Sequence, residues 1–195
     1  NLSIKDVLES INSGFKQAEN LYGIKSGLIL CGMRNDRINV EKVGEIAINY
    51  KDLIIGFDIA GPELNYRPSK FSSTFKKVLN EGINITIHAG EGDNVESIQD
   101  ALDNGAKRIG HGVRIIEDIN LDNTKLGETA SFIYENQIPL EICITSNIHT
   151  NMYKSYDSHP IKDLIDLGFN ISLNTDNRLM SNTDIVKEMN ICKDI

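Results

Sequence analysis

The sequence predicts an α/β fold of parallel strands, an incomplete portion of a TIM-type (β/α)8 barrel with about six βα units. Three observations predict it. Short apolar strands alternate with amphipathic helical stretches, one parity of several strands is polar, and the chemistry-bearing side chains gather where strands end. No Pro/Gly/Ser-rich linker or composition break divides the 195 residues, so residues 1–195 read as a single domain.

The elements follow in order. A helix over 4–21 precedes a strand at 27–34 (GLILCGMR), and a helix over 40–50 leads to a strand at 53–60 (LIIGFDIA). The helix 70–81 is followed by the strand 83–88 (INITIH), where Ile83, Ile85 and Ile87 oppose Asn84, Thr86 and His88. The next helix, 94–104, has its cap at Asp93 or Asn94, an apolar stripe of Val95, Ile98, Ala101 and Leu102, and a terminator in Gly105. The strand 107–111 (KRIGH) is less regular, because Ile109 and His111 share a parity. A helix over 125–136 then leads to the strand 138–145 (IPLEICIT), with Leu140, Ile142 and Ile144 opposite Glu141, Cys143 and Thr145. Last come a helix 160–167, a strand 169–176 (FNISLNTD) and a helix 182–192.

Strand parity chooses between the two arrangements that repeated βα units allow. In a doubly wound sheet both faces lie under helices and central strands are apolar on both sides. Here one face carries Ser172, Asn174 and Asp176 or Asn84, Thr86 and His88. A polar inner face opening at the C-terminal ends of the strands is a barrel feature.

Composition narrows the partners. Twenty basic against 28 acidic residues, a formal charge of -8, disfavours a nucleic-acid or anionic-membrane surface and fits a small neutral or cationic ligand. Cys31, Cys143 and Cys192 are too few and too scattered for a disulfide framework or a thiolate zinc site, so a cytoplasmic location is the expectation. The longest apolar runs, five or six residues, fall far short of a membrane span.

The polar residues at strand ends are Asp58 and Gly61 in GFDIAGPE, His88 and Glu91 in HAGE, His111 in GHG, Ser146 and Asn147 in TSN, and Asp176 in NTDN. Two histidines, an aspartate and a glutamate converging on one mouth point to a divalent metal, most plausibly zinc, with a carboxyl group as proton shuttle. Each alone has a plainer reading. His88 can be a hydrogen-bonded structural residue, Asp176 a helix cap, GHG a turn and Asn147 a turn-former, while His149 and His159 read as structural or exposed. Only the ordered combination is specific.

In that order, GFDIAGPE, ITIHAGE, RIGHGVRI, LEICITSNIHT and ISLNTDN resemble the adenosine deaminase family of zinc-dependent amidohydrolase barrels, over residues 20 to 190. The resemblance implies zinc as cofactor, with His88 and Asp176 as metal ligands and Glu91 as proton donor. It further implies that His111 positions and polarises the attacking water, and that Gly61 contacts the purine through its backbone. Water would attack C6 of the ring, Glu91 would protonate N1, Asp176 would accept a proton, and ammonia would leave to give inosine. Ala89 and Gly90 let the chain turn tightly between His88 and Glu91.

Two departures stand out. The family pattern has a His-x-His pair on the first barrel strand, and none of the four histidines here lies two residues from another. The chain is therefore expected to be a C-terminal portion of the barrel that lacks the first two βα units and a terminal helical part. Alone it should bind zinc weakly, turn over little and self-associate through its open edges. The second departure is Asn177, where the family often has an aspartate at the purine N7; an amide can donate to an unprotonated N7.

The implied partner is a purine nucleoside, adenosine or deoxyadenosine, with no nucleic acid and no membrane. The alternatives are adenine or another aminopurine as substrate, and a non-catalytic module that keeps the barrel. A dinucleotide site is disfavoured by the lack of G-x-G-x-x-G, and the cysteine-rich deaminases by the lack of P-C-x-x-C.

Overall fold

A computed structural model describes residues 2–195. Its strands are β1 (Ile29–Met33), β2 (Gly56–Ala60), β3 (Thr86–Ala89), β4 (Arg108–His111), the short pair β5 (Ile119–Asn120) and β6 (Lys125–Leu126), then β7 (Leu140–Ile142) and β8 (Ile171–Leu173). The helices are α1 (Ile4–Tyr22), α2 (Arg37–Asn49), α3 (Ser72–Asn80), α4 (Val95–Asp103), α5 (Glu128–Glu135), α6 (Ile144–His149), α7 (Ile161–Asp166), α8 (Arg178–Ser181) and α9 (Ile185–Asp194).

Six strands form one parallel series. β1 pairs with β2, β3 with β4, β4 with β7 and β7 with β8, while a parallel bridge between Phe57 and Ile85 joins β2 to β3. Strand order thus follows chain order without the reversal that a doubly wound sheet contains. The result is an incomplete barrel wall, and every strand expected from the sequence is present in it.

The outer face supplies the core. Phe57, Ile59, Ile85, Ile87, Ile109, Leu140 and Ile142 are fully buried against Val40, Phe75, Val78, Ile98, Ile133 and Leu164 of the surrounding helices. Burying one such side chain contributes about 1.5–3 kcal/mol, which fixes register because a one-residue slip would send the row to the other face. The inner face is polar: Thr86 donates to the Arg108 carbonyl at 3.1 Å, and Arg108 Nε lies 3.0 Å from Glu141 Oε1. Burial raises the Glu141 pKa, and Arg108 opposes the rise.

Several boundaries differ from the sequence expectation, each for a local reason. The strand expected over 138–145 stops at Ile142; Asn147 N–H donates to the Cys143 carbonyl at 2.9 Å, and residues 144–149 coil into α6. The strand expected over 169–176 is confined to 171–173. Residues 125–126 belong to a hairpin, not a helix, and α5 starts after Gly127, capped from a distance by Asp118, whose Oδ2 accepts from Ala130 N–H at 2.8 Å. The helix expected over 182–192 starts later, at Ile185, because Asn182 turns left-handed to end a separate short helix α8 and Asp184 caps the new start by accepting from Lys187 N–H at 2.9 Å. Helix α2 begins earlier than expected, capped by Asp36, and a 3₁₀ turn at 68–71 precedes α3.

Candidate active site

The site is assembled by the ends of β2, β3 and β4 and by α6. β3 delivers His88 on its polar parity, opposite Ile85 and Ile87. Asp58, on the inner parity of the neighbouring β2, holds it at two points. Its Oδ1 accepts from the His88 backbone N–H at 3.2 Å, and its Oδ2 stands 2.8 Å from ring Nδ1. The ring contact is not well aligned as a hydrogen bond, but at this separation the Coulomb attraction dominates. Burial disfavours the charged ring, and Asp58 outweighs it, so the His88 pKa is raised. Arg34, buried at the end of β1, donates through Nη2 to the carbonyls of Ile59 at 3.0 Å and His88 at 2.5 Å, tying three strands together.

The turn after β3 is built on a buried carboxylate. Glu63 Oε1 accepts from Gly90 N–H at 2.6 Å, and its Oε2 accepts from the N–H groups of Glu91, Gly92 and Asp93 at 3.0, 2.7 and 3.1 Å. Successive amides around an anion make a nest, here filled by the protein itself. Gly90 is required for the turn: its φ is +69°, and a Cβ would lie 2.4 Å from Ile98 Cδ1. Arg67 then secures the exit from the turn, with Nε 2.9 Å from Asp93 Oδ2. Asn94 occupies the cap position of α4 without a capping side-chain bond, its Oδ1 instead accepting from Arg67 Nη2 at 2.9 Å, while Asp93 Oδ1 accepts from Asn94 N–H at 2.9 Å.

Glu91, carried on this turn, places Oε2 3.5 Å from His111 Nε2 and accepts from Thr150 Oγ1 at 3.3 Å. Burial raises its pKa, reinforced by the charges of Asp176 and Glu63 and opposed by His88 and Thr150. A carboxyl biased toward its neutral form is a candidate general acid.

His111 resolves the irregular parity of β4. Its φ is +60°, so the chain leaves extended geometry at this residue and the ring joins His88, centroid to centroid 5.3 Å, rather than following Ile109 into the core. A left-handed non-glycine residue is strained, and such residues concentrate at functional sites. Burial and the neighbouring His88 push the His111 pKa down to about 4. Asp176 is left-handed too, at φ +51°, and its Oδ2 accepts from Ser146 Oγ at 2.6 Å.

The structure therefore gathers His88, Glu91 and His111 in direct proximity, with Asp176 tied to α6 close enough for its charge to act on both Glu91 and His111. Gly61, φ +99°, turns the chain from β2 toward Glu63. Asn177 rather than Asp176 is the helix cap: its Oδ1 accepts from Met180 N–H at 3.0 Å, leaving its amide NH2 outside that bond. Of the two histidines read as structural or exposed, His149 is exposed, and His159 is a buried structural residue at 3% exposure, hydrogen-bonded at both ring nitrogens. Sequence reasoning did not assign Glu63, Arg34 or Thr150. Asp58 was visible as a strand-end carboxylate, and its inner parity beside β3 was the signal for its pairing with His88.

No group of three or more His, Cys, Asp or Glu side chains is poised to hold a metal among the described residues. The donor chemistry still suits part of a zinc site. Asp58 on Nδ1 leaves Nε2 of His88 available to a metal, as in the carboxylate–histidine arrangement that orients an imidazole ligand.

Comparison with known proteins agrees with this architecture. Adenosine deaminase 1 of Streptomyces coelicolor is 42% identical over 197 residues, covering 96% of this chain and 50% of the relative. The chain spans about half the length of the curated relatives it matches. The adenine deaminase of Arthrobacter aurescens superposes with a TM-score of 0.85 at 21% identity, covering 97% of this chain and 56% of its own. An amidohydrolase of Burkholderia ambifaria with bound zinc gives 0.79 at 22% identity, covering 94% and 50%. At those identities the two structures establish the shared fold. The family model for adenosine deaminase matches residues 1–195, and the chain belongs to that family.

Proposed function

We propose that this chain carries the proton-donating portion of a zinc-dependent site that deaminates adenosine and deoxyadenosine hydrolytically, releasing ammonia in purine salvage. The observation that carries the reading is Glu91: a half-buried carboxyl with a raised pKa, on a hydrogen-bonded turn, beside His111 and one strand end from His88. A carboxyl shifted toward its neutral form is suited to deliver a proton to ring N1 as water adds at C6. That proton relieves the negative charge that gathers on the ring when its aromaticity is lost.

His111 stays neutral at physiological pH and positions the attacking water. Asp176, anchored by Ser146, is the base that takes a proton from that water and passes it to the C6 amino group, which leaves as ammonia while the remaining hydroxyl proton restores the Glu91 acid. Gly61 offers its backbone to the purine, and the Asn177 NH2 is free to donate to N7. His88 and Asp176 would hold zinc, which when bound supplies a Lewis acid that lowers the pKa of water to about 7. These are two donors where a catalytic zinc takes three protein ligands, so the chain alone binds the ion weakly and turns over little.

The test is the ultraviolet absorbance change of adenosine, and separately of adenine, incubated with zinc and the full-length product of the gene that encodes this chain. Conversion of adenosine, with adenine untouched, supports the reading. Conversion of adenine alone replaces the substrate, and no conversion by folded, metal-loaded protein sustains the non-catalytic alternative.

A further inference from the structure

His159 is buried and without a part in the chemistry above, and its two ring nitrogens have unlike neighbours. The backbone N–H of Ile161 points at Nδ1 from 3.2 Å. A backbone amide can only donate, so Nδ1 accepts and the ring proton sits on Nε2. Nε2 lies 3.2 Å from Oδ1 of Asn147, which accepts that proton and thereby fixes which way the amide faces. The other end of the amide, Nδ2, then stands 3.1 Å from Nδ1 of His111. An NH2 group also only donates, so Nδ1 of His111 accepts and its proton is held on Nε2, the nitrogen facing Glu91.

We propose that Asn147 and His159 are positioning residues that carry the polarity of the Ile161 backbone amide to His111 and lock it as the Nε2–H tautomer, its proton directed at the reaction site. Each link has one permitted direction because its predecessor has one. Reversing His111 alone would set two donors face to face between Nδ1 and the Asn147 amide, at full burial with no water to separate them. Reversing the whole chain is blocked at its origin, since the peptide N–H of Ile161 cannot become an acceptor. Three residues from α6 and the start of α7 thus set the protonation pattern of a ring on β4, and Tyr153 packs 5.0 Å from His159 to hold the last ring in place. Burial also drives the pKa of His159 down to about 4, which keeps that ring neutral as the chain of bonds requires.

The consequence for catalysis rests on the deaminase reading, but the test does not. Two-bond nitrogen–proton correlation spectra of the labelled chain, recorded without substrate or metal, report which nitrogen of each ring is protonated. With four histidines the assignment is tractable. The proposal expects Nε2–H for both His111 and His159 at neutral pH. It expects Asn147→Asp, which replaces the donor by an acceptor of equal shape, to move a proton onto Nδ1 of His111 while His159 keeps its pattern. His159→Phe, which keeps the ring volume but removes the donor, should leave His111 divided between tautomers. A wild-type His111 in the Nδ1–H form overturns the proposal, as does an unchanged His111 in either variant that retains the folded amide spectrum. A failure here leaves the adenosine assay untouched, and a failure of that assay leaves the spectra unchanged.

Discussion

Replacing Glu63 by glutamine should loosen the turn that carries Glu91 more than any surface change could. The wild-type carboxylate accepts four backbone N–H groups, three on Oε2 and one on Oε1, and is only 7% exposed. In Glu63→Gln the best orientation leaves the amide oxygen with Glu91, Gly92 and Asp93 and turns its NH2 against the Gly90 N–H. One charge-assisted bond, worth about 1.5–3 kcal/mol, is lost, and a buried donor is left unsatisfied at a cost of about 1–3 kcal/mol. The two overlap, so about 3 kcal/mol is expected, a large part of a typical domain's stability of about 5–15 kcal/mol. Urea denaturation measures the global loss, and amide hydrogen exchange at residues 90–93 localises it. A loss below about 1 kcal/mol with unchanged protection of those amides would overturn this reading, since one hydrogen bond to a charged group is worth about 1.5–3 kcal/mol.

Other outcomes follow from the same geometry. Gly90→Ala forces a side chain into a left-handed position and against Ile98, so it should destabilise by about 2 kcal/mol or more in chemical denaturation; a midpoint equal to wild type contradicts the turn. Asp58→Ala should weaken zinc binding by about 10- to 100-fold in competition with a chromogenic chelator, because the ring of His88 loses its orienting carboxylate; unaltered affinity would remove Asp58 from that role. His159 has its pKa depressed from 6.5 to about 4 by burial, so its contribution is complete above pH 6.5 and is lost as pH falls toward 4, where the unfolded ring protonates first. Between pH 7 and 4.5 wild type should lose about 2.5 kcal/mol more than His159→Gln in paired denaturation curves, and equal losses would show that His159 titrates normally.

Much of the wall was legible because burial on one side imposes alternation. Ile83, Ile85 and Ile87 against Asn84, Thr86 and His88 gave both the strand and the direction in which His88 points. His111 broke that rule, since a positive φ at a non-glycine residue leaves no mark in a hydrophobic pattern. The short helix α6 was hidden for another reason: Ile142, Ile144 and Thr145 are β-branched and read as strand, but tertiary packing converts their second half into a helical turn. That turn is what buries Asn147 between two histidines, a role invisible in a TSN tripeptide that also suits a loop. Asp118 reaching α5 and Glu63 reaching residues 90–93 join segments 12 to 30 residues apart, and no local signal encodes such pairings. The hairpin over 119–126 did carry a turn signal, Asp122-Asn123, within a stretch otherwise too short to show strand alternation.

The central claim is that Glu91 is the acid that protonates the purine ring, and Glu91→Gln in the full-length gene product tests it most directly. The account predicts that the variant folds, retains zinc and loses adenosine turnover by about 100-fold or more, the usual magnitude for removing a general acid. Turnover within a few-fold of wild type, with zinc content and folding unchanged, would contradict it.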